Sequence, residues 1–170
     1  KKKPEEADVH VQEISERAAE VIDNVSEIVW AMNPKNDTLD NLVAHLRRYA
    51  VKYLSLAQIN CKFTAPDVIP AYHLTAEVRR NLFLVVKEAL HNVVKHAGAS
   101  EVCLTLSLNE SILMLHIEDN GKGFNSAASA QLGDGLGSMR KRMQDIKGGF
   151  TIVSTCGEGT RIDVSLRVQL

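Results

Sequence analysis

A two-layer α/β sandwich preceded by two helices is the architecture this sequence predicts, and three observations carry it. Between residues 59 and 168, apolar and polar residues alternate in short runs, the mark of strands with one buried face. Between Thr75 and His96 the apolar residues instead recur at a helical period. Between Val11 and Met32 they recur at steps of three and four along a narrow line, which predicts a helix outside the sandwich.

That first helix carries Val11, Ile14, Ala18, Val21, Val25, Ile28 and Met32 on its line, with Gln12, Glu13, Glu16, Arg17, Asp23, Asn24 and Glu27 off it. This is the seam of a coiled coil or four-helix bundle, narrower than the stripe of a helix lying on its own domain. Pro34 in "WAMNPKNDT" ends it, because proline disfavours helical geometry in the residue before it. Asp37 or Thr38 can then cap a second helix through "LDNLVAHLRRYAVKYLSLA".

From residue 59 the pattern changes. "INCKFT" reads as a short strand and "APDVIP" as a loop bounded by prolines. Thr75 caps a long helix running through His96, with Gly98 at its C-terminal end. Val102, Leu104, Leu106 and Leu108 make one face of a strand, and "NES" a turn. The next strand puts Leu113, Leu115 and Ile117 on one parity, which carries Asp119 inward at the strand tip. A buried carboxylate is costly unless something pairs with it. "NSAASAQLGDG" is too small and polar to pack and predicts a mobile loop. A helix follows near "GLGSMRKRMQDIK", stopped by Gly148 and Gly149. Two strands around "CGEG" close the chain; the last places Ile162, Val164, Leu166 and Val168 inward, with Thr160 on the same parity. Mostly antiparallel strands under helices on one face make two layers.

Composition narrows the function classes. The 170 residues suffice for one core-forming domain and an appendage. A net charge of −1 provides no global field to recruit nucleic acid or an anionic membrane. Cys61, Cys103 and Cys156 are odd in number and far apart, which fits buried thiols in a reducing compartment better than disulfides or zinc. The six histidines lack metal-ligand spacing. No apolar run reaches the roughly 20 residues of a membrane span. "KKKPEE" reads as a cut end or tag, not a targeting signal.

The long helix also carries a polar line: Glu88, Asn92 at i+4 and Lys95 at i+7. It borders the stripe of Leu82, Val85, Ala89 and Val93 that must face the sheet, so it runs along the rim toward the loop between Asp119 and Gly135. An amide oxygen ligates Mg²⁺ without adding charge, a carboxylate takes a proton, and a lysine meets phosphate as a point charge. Gly121 and Gly123 admit close backbone approach, while Gly133 and Gly135 place free N–H groups at a helix start, a ready anion site. Asp119, acceptor-only when ionised, suits an exocyclic amino group such as that of adenine.

The segments "EALHNVVKHAGA", "DNGKGF", "GDGLGSMRKR" and "GEGT" resemble, in order and spacing, the N, G1, G2 and G3 boxes of the sensor histidine kinase catalytic domain. The resemblance covers about residues 59 to 168. It implies the Bergerat ATP-binding fold shared with type II topoisomerases and heat-shock chaperones. "NxxKHA" followed by "GxGLxxM" is most similar to the subfamily paired with DNA-binding response regulators. "SEIVWAMNPKNDTLDNL" resembles the second helix of that subfamily's dimerisation domain and the connection after it. On this resemblance residues 1–57 are a partial dimerisation segment and 58–170 the catalytic ATP-binding domain.

The resemblance further implies Glu88 as general base, Asn92 as Mg²⁺ ligand, and Lys95 and His96 beside the phosphates of ATP. It implies Asp119 as the adenine reader with Gly121 and Gly123 beside it, Thr160 behind the base, and Gly133, Gly135, Leu136 and Gly137 opening the phosphate-side helix. Ser138 stands where the subfamily often has Asn. The implied partners are a phosphoacceptor helix, a second copy in a helical bundle and a response regulator, with no direct nucleic acid. The implied location is the cytoplasmic portion of a membrane-anchored bacterial sensor. One departure is plain: neither His10, followed by Val11, nor His45 in "AHLRR" has the surroundings of the family's acceptor histidine. The expected activity is therefore transfer of the ATP γ-phosphoryl group to a histidine outside this chain. The alternative is a serine kinase of the anti-sigma type or a non-catalytic ATP-gated module of the same superfamily.

Overall fold

The structure, a computed structural model, describes residues 21–22, 25–125 and 134–168. Among these, one mixed sheet is built from β1 (Asn60–Thr64), β2 (Glu101–Asn109), β3 (Ile112–Asp119), β4 (Gly149–Thr155) and β5 (Gly159–Arg167), in the order β1-β2-β3-β5-β4. β1 runs parallel to β2, and every other neighbour pair is antiparallel. The alternation read from the sequence becomes a ladder across three strands. Leu104 faces Ile117 and Leu106 faces Leu115; Ile117 faces Ile162 and Leu115 faces Val164. All six are buried. A slip of one residue would turn every one of them to solvent, so burial pins the register.

Helices cover one face. They are α1 (residues 25–32), α2 (Leu39–Leu56), α3 (Ala76–Asn92) and α4 (Asp134–Asp145). From α3, Leu82, Val85, Ala89 and Val93 are buried on the sheet, and α4 adds Met139 and Met143. Leu39, Leu42, Leu46, Ala50 and Leu54 of α2 belong to the same core, where α2 packs against α3 and β1.

Two local readings differ from the structure. Thr38 holds the N-cap position of α2, but its hydroxyl accepts from Asn41 Nδ2 at 2.9 Å and caps no backbone N–H. The long helix does begin at Thr75, whose hydroxyl accepts from Val78 N at 3.2 Å, yet it leaves the α-helical pattern at Asn92. Val93–Ala97 form a π-helical turn ended by Gly98 at φ +62°. Across the fold, the carbonyl of Ala97 accepts from Lys122 N at 2.9 Å, which joins the helix end to the loop after β3. π-turns inside helices recur at functional sites.

α1 is joined to this body by contacts that no local pattern announces. The buried Arg79 guanidinium donates to the carbonyls of Leu74 and Ala31 and, at 3.4 Å, to that of Asn33. It thereby satisfies the carbonyl of Ala31 near the end of α1, while that of Asn33 also accepts from Asn36 N at 3.0 Å. Lys87 Nζ lies 2.6 Å from Glu27 Oε1, and Trp30 stacks on His45 with ring centroids 3.8 Å apart. The described part of the seam faces elsewhere: Val21, Val25 and Met32 are more than half exposed.

His45 makes this joint sensitive to acid. Its pKa falls from 6.5 to about 4, first because burial disfavours the charged ring and second because Arg48 repels it. A depressed folded pKa means that the unfolded chain takes the proton first. The contribution is therefore complete above pH 6.5 and is lost as pH falls toward 4. Urea titrations across that window should show His45→Phe losing less stability on acidification than the wild type, by on the order of 1–2 kcal/mol once partial exposure of the ring is discounted. Equal slopes for the two proteins would remove His45 from the acid response.

Candidate functional site

The strand tips of β3 and β5 meet under the C-terminal half of α3, and there they bound a cavity of about 470 Å³. Its back is apolar: Ile117, Ile152 and Ile162 come from three adjacent strands. α3 and its π-turn supply Glu88, His91, Asn92, Lys95 and His96, the loop after β3 supplies Lys122, Gly123 and Phe124, and α4 supplies Gly135 and Leu136.

Asp119 is the polar group in the apolar part, 5% exposed. Its Oδ1 accepts from Gly121 N at 2.8 Å. Burial raises its pKa above the usual carboxylate value, opposed by the backbone N–H groups of Gly121 and Thr160, while the Glu118 charge adds to the rise. A carboxylate held by main-chain donors in an apolar wall is built to accept a hydrogen bond from a ligand.

The loop that follows is fixed on both sides. Asn120 Oδ1 accepts from Ser100 N and Glu101 N at 2.9 and 3.0 Å, fastening the end of β3 to the start of β2. Ser154 Oγ accepts from Phe124 N at 2.9 Å, donates to the Gly159 carbonyl at 3.0 Å, and lies 2.9 Å from Thr160 Oγ1. Gly123, at φ +56°, has no room for a side chain: a Cβ there would stand 2.0 Å from the Thr155 carbonyl oxygen. Gly123→Ala should therefore cost about 3 kcal/mol, since both the backbone angle and the space are incompatible with it. A urea midpoint unchanged in that variant would show the loop free to move.

Glu88 and Gly135 touch across the cavity mouth. A Cβ on Gly135 would lie 2.2 Å from Glu88 Oε1, so the bare backbone of α4 lets the carboxylate stand over the cavity.

The sequence-based candidates divide plainly. Glu88, Asn92, Lys95, His96, Asp119, Gly123, Gly135, Leu136 and Thr160 line one cavity. Gly121 lies behind the wall, where a Cβ would come 2.5 Å from the Ala97 carbonyl oxygen, and Gly137 is outside the lining. Gly133, most of the loop before it, His10, and Val11, Ile14 and Ala18 of the seam lie outside the described residues. Sequence reasoning passed over His91, Lys122, Phe124 and Ile152 in the lining, and Asn120 and Ser154 behind it. Ile152 had a findable signal, because it shares inward parity with Ser154 on β4.

Residues 77–170 match the family described as histidine kinase-, DNA gyrase B- and HSP90-like ATPase. The sensor histidine kinase LiaS of Bacillus subtilis is 40% identical over 91 residues, covering 54% of this chain and 25% of LiaS. The sensor protein VraS of Staphylococcus epidermidis is 33% identical over 133 residues, covering 72% of this chain and 38% of VraS. The chain thus spans well under half the length of these relatives. In fold it is similar to the histidine kinase domain of the Erythrobacter litoralis EL346 blue-light activated histidine kinase, with TM-score 0.66, 20% identity, and 85% and 74% of the two chains covered. The Acinetobacter baumannii histidine kinase AdeS gives TM-score 0.67 at 13% identity, covering 100% of this chain and 88% of that one. With its match running from the start of α3 to the last strand, the chain belongs to the histidine kinase-, DNA gyrase B- and HSP90-like ATPase family.

Proposed function

We propose that this chain is the ATP-binding catalytic module of a two-component sensor histidine kinase, transferring the ATP γ-phosphoryl group to a histidine on a separate helix. The observation that carries the reading is the lining of one cavity, which joins apolar walls and a buried acceptor, Asp119, to Glu88, Asn92, Lys95 and His96 of α3 and its π-turn. A purine with an exocyclic amino group suits the apolar walls and Asp119, and a polyphosphate the polar groups of the helix.

The residues present also fit Mg²⁺. Asn92 offers a neutral amide oxygen on the phosphate side, and no cluster of three His, Cys, Asp or Glu residues exists among the described residues. A cation held there would take its other oxygens from the phosphates and water. When bound, Mg²⁺ offsets charge on the transferring phosphoryl group. Asp119 orients the base, Lys95 and His96 hold the phosphates, and Glu88 takes the proton of the incoming imidazole. Thr160 backs the adenine pocket, joined to Ser154. Gly121 and Gly123 shape its loop, and Gly135 and Leu136, in the first turn of α4, line the cavity.

His45 is a poor acceptor in this scheme, stacked on Trp30 with its Nε2 buried and unpartnered. We assign residues 1–57 to a dimerisation helix and connector and 58–170 to the catalytic domain, with α2 as the connector seated on the catalytic core. The exposed seam residues of α1 support a homodimer through a helical bundle, and the family resemblance a response regulator downstream. No helix among the described residues is long and apolar enough to cross a membrane.

The test is direct. Mg·ATP should bind the chain in the micromolar-to-millimolar range by calorimetry. Labelled ATP should phosphorylate an added acceptor helix, weakly, because the tether that raises effective concentration is missing. Label on His10 or His45 of the isolated chain would overturn the assignment of an external acceptor.

A further inference from the structure

His91 stands in the cavity wall between Glu88 and Asn92 in sequence, on the solvent side of their line. It is held from outside α3: its Nδ1 lies 3.4 Å from the hydroxyl of Tyr53 on α2. Resting on the reading of this cavity as an ATP site, we propose that His91, oriented by Tyr53, is an additional ligand-binding residue that donates from Nε2 to the terminal phosphate of ATP.

In this assignment Tyr53 donates to His91 Nδ1 across the 3.4 Å contact. Tyr53 stays a neutral phenol, because burial raises its pKa and the nearby Glu88 charge adds to the rise, against the opposing charge of Lys87. A phenol O–H given to Nδ1 leaves the ring proton on Nε2, on the opposite side of the imidazole. The nitrogen directed away from Tyr53 is thus a donor, on a side chain that lines the cavity one turn from Glu88 and from Lys95. Glu88 marks the end of the cavity where transfer takes place, so the phosphate reached from this position is the last one. α2 would then contribute to the nucleotide site through Tyr53, although no residue of α2 lines the cavity.

Calorimetry of the full chain with Mg·ATP and Mg·ADP separates this role from a structural one. His91→Ala should weaken ATP binding by about tenfold or more, the usual worth of one hydrogen bond to a charged group, and leave ADP binding unchanged. His91→Gln, whose amide nitrogen falls near the position of Nε2, should restore most of the ATP preference. Tyr53→Phe should lose part of it without loss of folding. An ATP-to-ADP affinity ratio in His91→Ala equal to that of the wild type would overturn the assignment, and an unchanged ratio in Tyr53→Phe would overturn the orienting role. Failure of the wild-type chain to bind either nucleotide would instead overturn the ATP reading on which the inference rests.

Discussion

Glu88→Gln should lower phosphoryl transfer to an added acceptor helix by about 10²–10⁴-fold, the ordinary contribution of a positioned proton acceptor. The replacement keeps the shape and removes the basicity. Glu88 stands at the cavity mouth with its Oε1 against the α-carbon of Gly135, so an amide of the same size fits the same space. ATP affinity should change little, because in the proposed role Glu88 acts on the acceptor's proton and not on the nucleotide. Gly135→Ala is the complementary variant. Its methyl group would meet the end of a flexible side chain and not the backbone, so the fold should survive while the carboxylate is pushed aside. Transfer should then fall by about tenfold or more with the base chemically intact, as misplacement of a reacting group does. Rapid-quench measurement of labelled phosphate on the acceptor reads both. Transfer undiminished in Glu88→Gln would assign the base elsewhere.

Asp119→Asn should weaken ATP binding by about 1–3 kcal/mol, the cost of a mismatched buried polar pair. Gly121 N–H already donates to Oδ1, so the asparagine must keep its oxygen there and turn its NH₂ toward the ligand's amino group. Two donors then face one another. Stability should suffer less than affinity, because the variant no longer buries a charge whose desolvation raises the carboxyl pKa. The same rise gives a pH signature. Acidification protonates Asp119 at a higher pH than an ordinary carboxylate, so wild-type ATP affinity should fall on that approach while the Asn variant stays flat. Calorimetry with ATP showing equal affinity in the two proteins would remove the adenine assignment.

Much of the site was legible in the chain because side-chain direction is a local property. Period two along β3 carries Leu113, Leu115 and Ile117 inward, and the same step brings Asp119 to the buried face. Period 3.6 along α3 keeps Glu88 and Asn92 beside the stripe of Leu82, Val85 and Ala89, so a polar rim next to a core face could be read without a structure. The inward strand tip and the rim of α3 needed only geometry within one element.

What tertiary structure alone decided are the matters that depend on which distant elements meet. An apolar stripe on α2 has the same pattern whether it covers its own domain or a partner's, and only packing shows Leu42 and Leu46 in the core of the sheet. The π-turn after Asn92 is joined through the Ala97 carbonyl to Lys122 N across the fold, a contact that no helical period encodes. Arg79 reads as an ordinary cation on a helix, yet it is buried against carbonyls of Ala31 and Leu74, segments far apart in sequence. Ser154 lies on the edge strand β4, whose weak alternation conceals that its hydroxyl ties Phe124 to the β4–β5 turn. Sequence by itself determined where each side chain points along its own strand or helix, because backbone geometry repeats locally. Contacts such as Tyr53 with His91 were settled only when the helices packed, since burial of the shared core fixes their approach.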